Sequence, residues 1–143
     1  MKTNIDNLSQ FFVDTLLLIH NNFFRQTSVP IPLNQFGVLC VLESEKRASI
    51  SDISHRLKIS KQQMTTIIEK LVASNLIEKK PDEHDRRRSI ITLTNDGHAI
   101  INHQHELEKK LFKKQIARLD KNEQAQLAKA ICDYNRLIDK MFA

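Results

Sequence analysis

The sequence has few of the residues that break helices or form tight turns: its 143 residues include two glycines and three prolines. Because hairpins and short loops depend on these two residue types, their scarcity argues against a fold of many short strands. The same scarcity suits long helices, in whose interior glycine and proline are unfavourable. We therefore expect a mainly helical chain.

Other absences narrow the class of protein. The sequence contains no run of about eighteen apolar residues, so we expect no membrane-spanning helix and no membrane partner. Residues 1–4 do not open a secretory signal peptide. The two cysteines, Cys40 and Cys132, show no CxxC spacing, and we interpret both as free, structural thiols. Together these observations predict a cytoplasmic protein.

The residue patterns that enzymes need are missing as well. There is no glycine-rich phosphate loop, no metal-binding triad and no nucleophile elbow. His98, His103 and His105 share one predicted helix, but no two of them are four residues apart, the spacing that places two side chains on one face. His20 could join them only from another helix. We therefore predict no enzymatic activity, no cofactor and no dedicated metal site.

The sequence is well supplied with core-forming residues and with positive charge. Apolar residues make up 41% of the chain, and its formal net charge is +5. This length and apolar content are typical of one domain, or of one subunit of an intertwined oligomer. A basic chain favours an anionic partner, but charge of this size becomes informative only once its location is known.

Both ends of the chain are predicted to form helices that need a second subunit. Residues 5–25 are apolar at three- and four-residue steps and on other faces too, so one subunit cannot cover this helix. Residues 121–142 carry a heptad-like apolar seam. We predict a homodimer whose dimerisation region comprises residues 1–32 and 108–143. The residues predicted to be buried in this dimer include Leu16, Ile19, Ile131 and Ile138.

Residues 33–107 are predicted to form a DNA-binding lobe of the winged helix-turn-helix type. The predicted elements are helix 33–44, a polar turn at 44–47, helix 51–57 with Ser51 as its N-cap, the turn Lys58–Ile59, helix 60–73 with Ser60 as its N-cap, strands 76–80 and 89–93, and helices 95–118 and 121–142. Asn75 can adopt the left-handed conformation that ends a helix. Thr94 can cap the following helix, in which Gly97 allows close packing. The fold class is thus mainly α, with long terminal dimerisation helices and a small two-stranded β-wing.

The second helix of this motif has one apolar face and one polar face. Met64, Ile67, Ile68 and Leu71 follow the i, i+3, i+4, i+7 rule and are predicted to face the core. Glutamine on the opposite face offers a donor–acceptor pair suited to adenine, and the N-terminus of the helix favours phosphate. The candidate DNA-binding residues here are Ser60, Lys61, Gln62, Gln63, Thr65, Thr66 and Lys70. The alternative interpretation is an ordinary solvated helix face.

The loop between the two strands adds a second candidate contact with DNA. It contains Asp85, Arg86, Arg87 and Arg88 in succession. A narrow minor groove attracts inserted arginine. Asp85 is predicted to hold the Arg87 guanidinium group through a bidentate contact. The alternative is a solubilising hairpin tip, but three adjacent arginines beside a helix of recognition type favour DNA binding.

These motifs resemble those of the multiple-antibiotic-resistance regulator (MarR) family. The resemblance is clearest over residues 50–97 and extends, in the order and length of the helices, to nearly the whole chain. Its most specific pieces are Asp85-x-Arg87 and Leu93-Thr94-x-x-Gly97. The resemblance implies a triangular dimer in which the helix from Lys61 enters the major groove and Arg87 enters the minor groove. The sequence departs from the family where Asn75 replaces a usual glycine and Thr66 a frequent arginine.

The resemblance also implies a function and a mode of regulation. A homodimer of this family binds a pseudo-palindromic double-stranded operator, and we expect a repressor that a small-molecule effector releases by changing the separation of the two recognition helices. No pattern indicates which residues bind the effector. Two alternatives stay open: a metal- or redox-responsive regulator of the same fold, and a helical interaction module that does not bind DNA.

Overall fold

Helices account for most of residues 4–143, which are the residues that the computed structural model describes. The elements are α1 (Ile5–Ile19), a π-helical turn (His20–Phe24), α2 (Leu33–Glu45), β1 (Arg47–Ser49), α3 (Ile50–Leu57), α4 (Lys61–Ala73), β2 (Ile77–Pro81), β3 (Ser89–Leu93), α5 (Asn95–Ile116) and α6 (Lys121–Phe142). The mainly helical, winged helix-turn-helix fold class is confirmed. Residues 1–3, which include the start of the predicted dimerisation region and most of the segment considered as a signal peptide, lie outside the described residues.

The core of the lobe forms where α2, α3 and α4 pack together with the sheet. Each of these elements contributes side chains that are almost completely buried. From α4 these are Met64, Ile68 and Leu71, and Ile67 is half-buried against them. The predicted apolar face of this helix is therefore confirmed. The remaining core side chains include Val38, Leu39, Leu42, Ile53, Ile77, Ile91 and Ile101.

The sheet has three strands in the described chain: β2 and β3 form the predicted two-stranded wing, and β1 is a third strand that the sequence did not predict. The strand order is β1–β3–β2, with both pairs antiparallel. β1 is three residues long and pairs Ala48 with Ile91. Its first residue, Arg47, was predicted as the last residue of a polar turn, and three residues are too few to show strand alternation. Only the pairing with β3 defines this strand.

The N-terminus of α3 also differs from the prediction. Ser49, not Ser51, is the N-cap: its Oγ accepts a hydrogen bond from the main-chain N–H of Asp52 at 3.1 Å. In return, the Asp52 carboxylate accepts one from the main-chain N–H of Ser49, also at 3.1 Å. This is a capping box, which satisfies two N–H groups that the helix leaves unpaired. The pairing of Ser49 with Ile90 ties the same cap to the sheet.

Other predicted helix ends are confirmed. The Oγ of Ser60 caps α4 by accepting the main-chain N–H of Gln63 at 3.2 Å. Asn75 follows α4 with a φ of 58°, the left-handed conformation for which glycine is otherwise preferred. Thr94 Oγ1 accepts the main-chain N–H of Gly97 at 3.0 Å and donates to the Asn75 carbonyl at 2.7 Å. The end of α4 and the start of α5 are thereby joined by hydrogen bonds.

The chain divides into two compact units, with the boundary between His105 and Glu106. In the first unit, α1 ends at Ile19 and continues as the π-helical turn, where we had predicted one helix over 5–25. No side chain of α1 is buried, although most of them are apolar. In the second unit, no side chain of α6 is buried either. Leu16 and Ile131 are about half exposed in the single chain, so their burial in a dimer stays a prediction.

The close approach of α5 to the end of α4 generates a prediction about Gly97. A Cβ at this position would lie 2.1 Å from the carbonyl oxygen of Leu76, far inside van der Waals contact. That oxygen also accepts the main-chain N–H of Thr94 at 3.1 Å, so it is not free to move. We expect Gly97→Ala to lower the free energy of unfolding by about 1–3 kcal/mol, measured by urea denaturation.

Gly37→Ala is the matched control, because Gly37 lies within α2 and a Cβ there would meet the Leu57 methyl groups at 3.7 Å, an ordinary contact. Helix propensity alone should then leave the protein unchanged or stabilise it by up to about 1 kcal/mol. Equal effects of the two substitutions would contradict the close approach at Gly97.

Candidate nucleic-acid interface

The polar face of α4 lies on the outside of the lobe because its apolar face is held in the core. Lys61, Gln62, Gln63, Thr66 and Lys70 are all exposed. Within residues 4–143, the side-chain amides of Gln62 and Gln63 have no hydrogen-bond partner. Their donors and acceptors are thus unused within the described chain, and a glutamine amide carries the donor–acceptor pair that an adenine edge can match.

Two of the predicted residues on α4 already have a structural role. Ser60 is exposed and its hydroxyl oxygen serves as the helix cap. Thr65 is half-buried, and its hydroxyl donates to the Lys61 carbonyl at 2.9 Å. Both oxygens retain acceptor capacity, but the geometry places them beside the exposed glutamines as supporting groups.

The tip of the wing is a turn closed by its own main chain. The N–H of Arg88 donates to the carbonyl of Asp85 at 2.9 Å, and the N–H of Asp82 donates to the carbonyl of Arg88 at 2.9 Å. Arg86 and Arg87 therefore occupy the two central positions of a β-turn, where side chains project outward. These two main-chain hydrogen bonds close the charged tip on itself.

Asp85 stabilises this turn in a different way from the one predicted. Its carboxylate accepts a hydrogen bond from the main-chain N–H of Arg87 at 3.0 Å. We had predicted a bidentate contact with the Arg87 guanidinium group. An aspartate at the first position of a turn reaches the main-chain N–H two residues later more readily than a long side chain that points away. Asp85 thus shapes the backbone and leaves the guanidinium group free.

The three arginines of the wing do not have equivalent surroundings. Arg88 forms an ion pair with Asp52 of α3, with 3.6 Å between its guanidinium nitrogen and the carboxylate oxygen. In the described chain, neither Arg86 nor Arg87 has an ion-pair partner, and both are exposed. The charge that the wing can offer to an anion is therefore concentrated on Arg86 and Arg87.

Asp52 is a residue that the sequence analysis missed. Hydrogen bonds with the hydroxyl group and the main-chain N–H of Ser49 lower the pKa of its carboxyl group. Burial raises this pKa in opposition, and the charges of nearby Arg88 and His55 lower it by smaller amounts. The carboxylate is therefore ionised at neutral pH. The spacing of a serine at 49 and an acidic residue at 52 was the available signal, since it is that of a capping box.

The histidine and cysteine side chains do not assemble into a site. Among the described residues, no three histidine, cysteine, aspartate or glutamate side chains are close enough together to hold a metal ion. Cys40 is half-buried, whereas Cys132 is exposed in the single chain. None of the helices described for residues 4–143 has the length and apolar character needed to cross a membrane.

Comparison with known proteins finds a family match over part of the chain. Residues 29–88, which hold α2, β1, the helix-turn-helix and most of the wing, match the model of the MarR family. Over 84 residues the chain is 30% identical to the HTH-type transcriptional repressor NicR of Pseudomonas putida. That alignment covers 57% of this chain and 53% of NicR, so it spans about half the length of the relative.

Two solved structures show that the likeness in fold extends over nearly the whole chain. Wild-type MarR from E. coli superposes with a TM-score of 0.67 at 21% identity, over 94% of this chain and 98% of that one. BpsR from Bordetella bronchiseptica superposes with a TM-score of 0.59 at 23% identity, over 90% and 98%. The residues that match the MarR family model hold the helix-turn-helix motif, and beyond them the likeness to the solved structures is one of fold.

Proposed function

We propose that this protein is a transcriptional regulator that binds double-stranded DNA through α4 and the wing. The observation that carries the proposal is that the outward face of α4, with unpaired glutamine amides, and the unpaired Arg86 and Arg87 belong to the same lobe. A helix of this kind fits the major groove, where base pairs are distinguishable. Exposed arginines at a hairpin tip suit the adjacent minor groove, whose potential is more negative where it is narrow.

The proposed DNA-binding lobe comprises residues 33–107, and the residues outside it form the proposed dimerisation region, 1–32 and 108–143. In support, the exposed apolar side chains concentrate on the helices of that region. In α1 they are Ile5, Leu8, Phe11, Val13, Leu16, Leu17 and Leu18, and in α6 they are Ile131, Tyr134, Leu137, Met141 and Phe142. Apolar surface on this scale favours burial by a second copy of the chain. A two-fold dimer would then present two copies of α4 to a pseudo-palindromic operator.

We further propose that the protein represses transcription and that a small-molecule effector releases it. The support is comparative: NicR is named a repressor, and regulation of DNA binding by 6-hydroxynicotinic acid is described for BpsR. An effector that binds better to one separation of the two lobes would shift the dimer towards that state. If this state places the two α4 helices out of register with successive major grooves, operator affinity falls.

The dimer is tested by the mass of the protein in solution. We expect light scattering at micromolar concentration to give twice the mass of one chain. Leu16→Asp should shift the protein towards monomer, because a charge would be buried in the proposed interface. Val72→Asp is the control, since Val72 is an apolar residue of α4 that is 40% exposed and lies outside the dimerisation region. A monomeric mass for the unmodified protein would contradict the proposal.

The wing is tested by the salt dependence of operator binding. Arg87→Ala should weaken binding, and it should reduce the slope of log K against log salt concentration by about one, as expected for the loss of one phosphate-type contact. Arg118→Ala removes the same charge from the connection between α5 and α6 and should leave the slope unchanged. Identical behaviour of Arg87→Ala and the unmodified protein across salt concentrations would show that the wing does not bind DNA.

Base recognition by α4 is tested by selecting binding sites from a random DNA library. Gln63→Ala should cost about 1–3 kcal/mol at one base position and relax the preference there, because an adenine contact is lost. Lys70→Ala should weaken binding to all DNA sequences about equally, since a lysine near the DNA backbone contacts phosphate. The competing idea is recognition of DNA shape through the wing. Unchanged preferences in both Gln62→Ala and Gln63→Ala would favour that idea.

A further inference from the structure

We propose that Asp52 is a positioning residue for DNA binding: it holds the wing against α3 through Arg88, and Arg88 is a brace for the wing and not a DNA contact. This inference rests on the proposed function, because it concerns how the same lobe presents its wing. Of the three wing arginines, Arg86 and Arg87 then remain as candidate DNA contacts. Asp52, on α3, affects DNA binding through Arg88.

The Asp52 carboxylate is itself held in place. It accepts the Ser49 main-chain N–H, and Ser49 Oγ accepts the Asp52 main-chain N–H, each at 3.1 Å. Ser49 is the last residue of β1 and pairs with Ile90 of β3. The carboxylate is therefore anchored at the junction of α3 with the sheet.

Arg88 connects two positions of the wing loop with α3. Its carbonyl accepts the N–H of Asp82 and its N–H donates to the carbonyl of Asp85, both at 2.9 Å, which closes the loop. Its guanidinium group reaches Asp52 at 3.6 Å. Because Arg88 immediately precedes β3, this ion pair ties the C-terminal side of the loop to the N-terminus of α3. The direction in which Arg86 and Arg87 project then depends on the ion pair.

A pure charge effect and a positioning effect of Asp52 predict opposite changes in DNA affinity when its carboxylate is removed. DNA is a polyanion, so removing a carboxylate from the binding lobe should strengthen binding if only the net charge matters. If Asp52 positions the wing, its removal should weaken binding instead. Asp52→Asn isolates the two effects, because the asparagine side-chain oxygen can still accept the Ser49 N–H while the charge that attracts Arg88 is lost.

The experiment measures affinity for an operator duplex, obtained by selection with the unmodified protein, at several salt concentrations. We expect Asp52→Asn to weaken binding about two- to fivefold, the range that the coupling of an exposed ion pair allows. Glu83→Gln is the control. It removes a negative charge from the wing loop, but in the described chain Glu83 has no ion-pair partner. This variant should bind DNA as tightly as the unmodified protein or more tightly. If Asp52→Asn, like Glu83→Gln, binds the operator duplex more tightly than the unmodified protein does, the proposal is overturned.

Arg88→Gln tests the other half of the pair without touching the α3 cap. If Arg88 is a brace, Arg88→Gln should bind DNA more weakly, with an unchanged slope of log K against log salt concentration. The double variant Asp52→Asn/Arg88→Gln should then bind DNA no more weakly than the weaker of the two single variants. A phosphate contact predicts a slope lower by about one and an additional loss in the double variant. The latter result would overturn the proposal.

A measurement on the free protein separates this inference from the proposed function. We expect Asp52→Asn and Arg88→Gln each to increase amide hydrogen exchange in residues 82–88, while exchange in the core of α4 remains unchanged. If the unmodified protein selects no DNA from the library, the proposed function fails, but faster exchange confined to 82–88 would still support the brace. Unchanged exchange there in both variants would overturn it.

Discussion

Met64, Ile68 and Leu71 are each at most 1% exposed, and they anchor α4 to the core formed with α2, α3 and the sheet. Rotating this helix about its axis would expose three large side chains and bury amides or a lysine without partners, which together would cost several kcal/mol. The orientation of the polar face therefore follows from the packing of the apolar one. This constraint determines which side chains of α4 face outward and could contact DNA.

The loop of the wing, residues 82–88, obeys a different constraint, since it has no apolar side chain to bury. It keeps its shape through main-chain hydrogen bonds that converge on Arg88 and through the contact of Asp85 with the Arg87 N–H. The pairing of β2 and β1 with β3 connects this loop to the core. A small hairpin held in this way can present unpaired cations without depending on a large hydrophobic interface. The ion pair with Asp52 is then the side-chain link between the loop and a helix.

Helices α1 and α6, here called the outer helices, show how folding and assembly can be linked in this protein. Neither α1 nor α6 contains a buried residue in the single chain, although both carry apolar side chains at helical spacing. The lobe, in contrast, has its own closed core. If a second copy covers the outer helices, the stability of those helices depends on protein concentration, whereas the stability of the lobe does not.

Local sequence patterns determined the elements whose causes lie within a few residues. The apolar spacing of α4, the caps at Ser60 and Thr94, the left-handed residue Asn75 and the close packing at Gly97 all follow from interactions that are local or have a strong residue preference. Tertiary structure alone decided the third strand, because residues 47–49 become a strand only by pairing with β3. It also decided which wing arginine forms an ion pair: Asp52 and Arg88 are 36 positions apart, and a sequence of charges carries no information about which of them meet. Periodicity shows which face of an element is buried, but the contacts that position its polar groups depend on how distant elements pack.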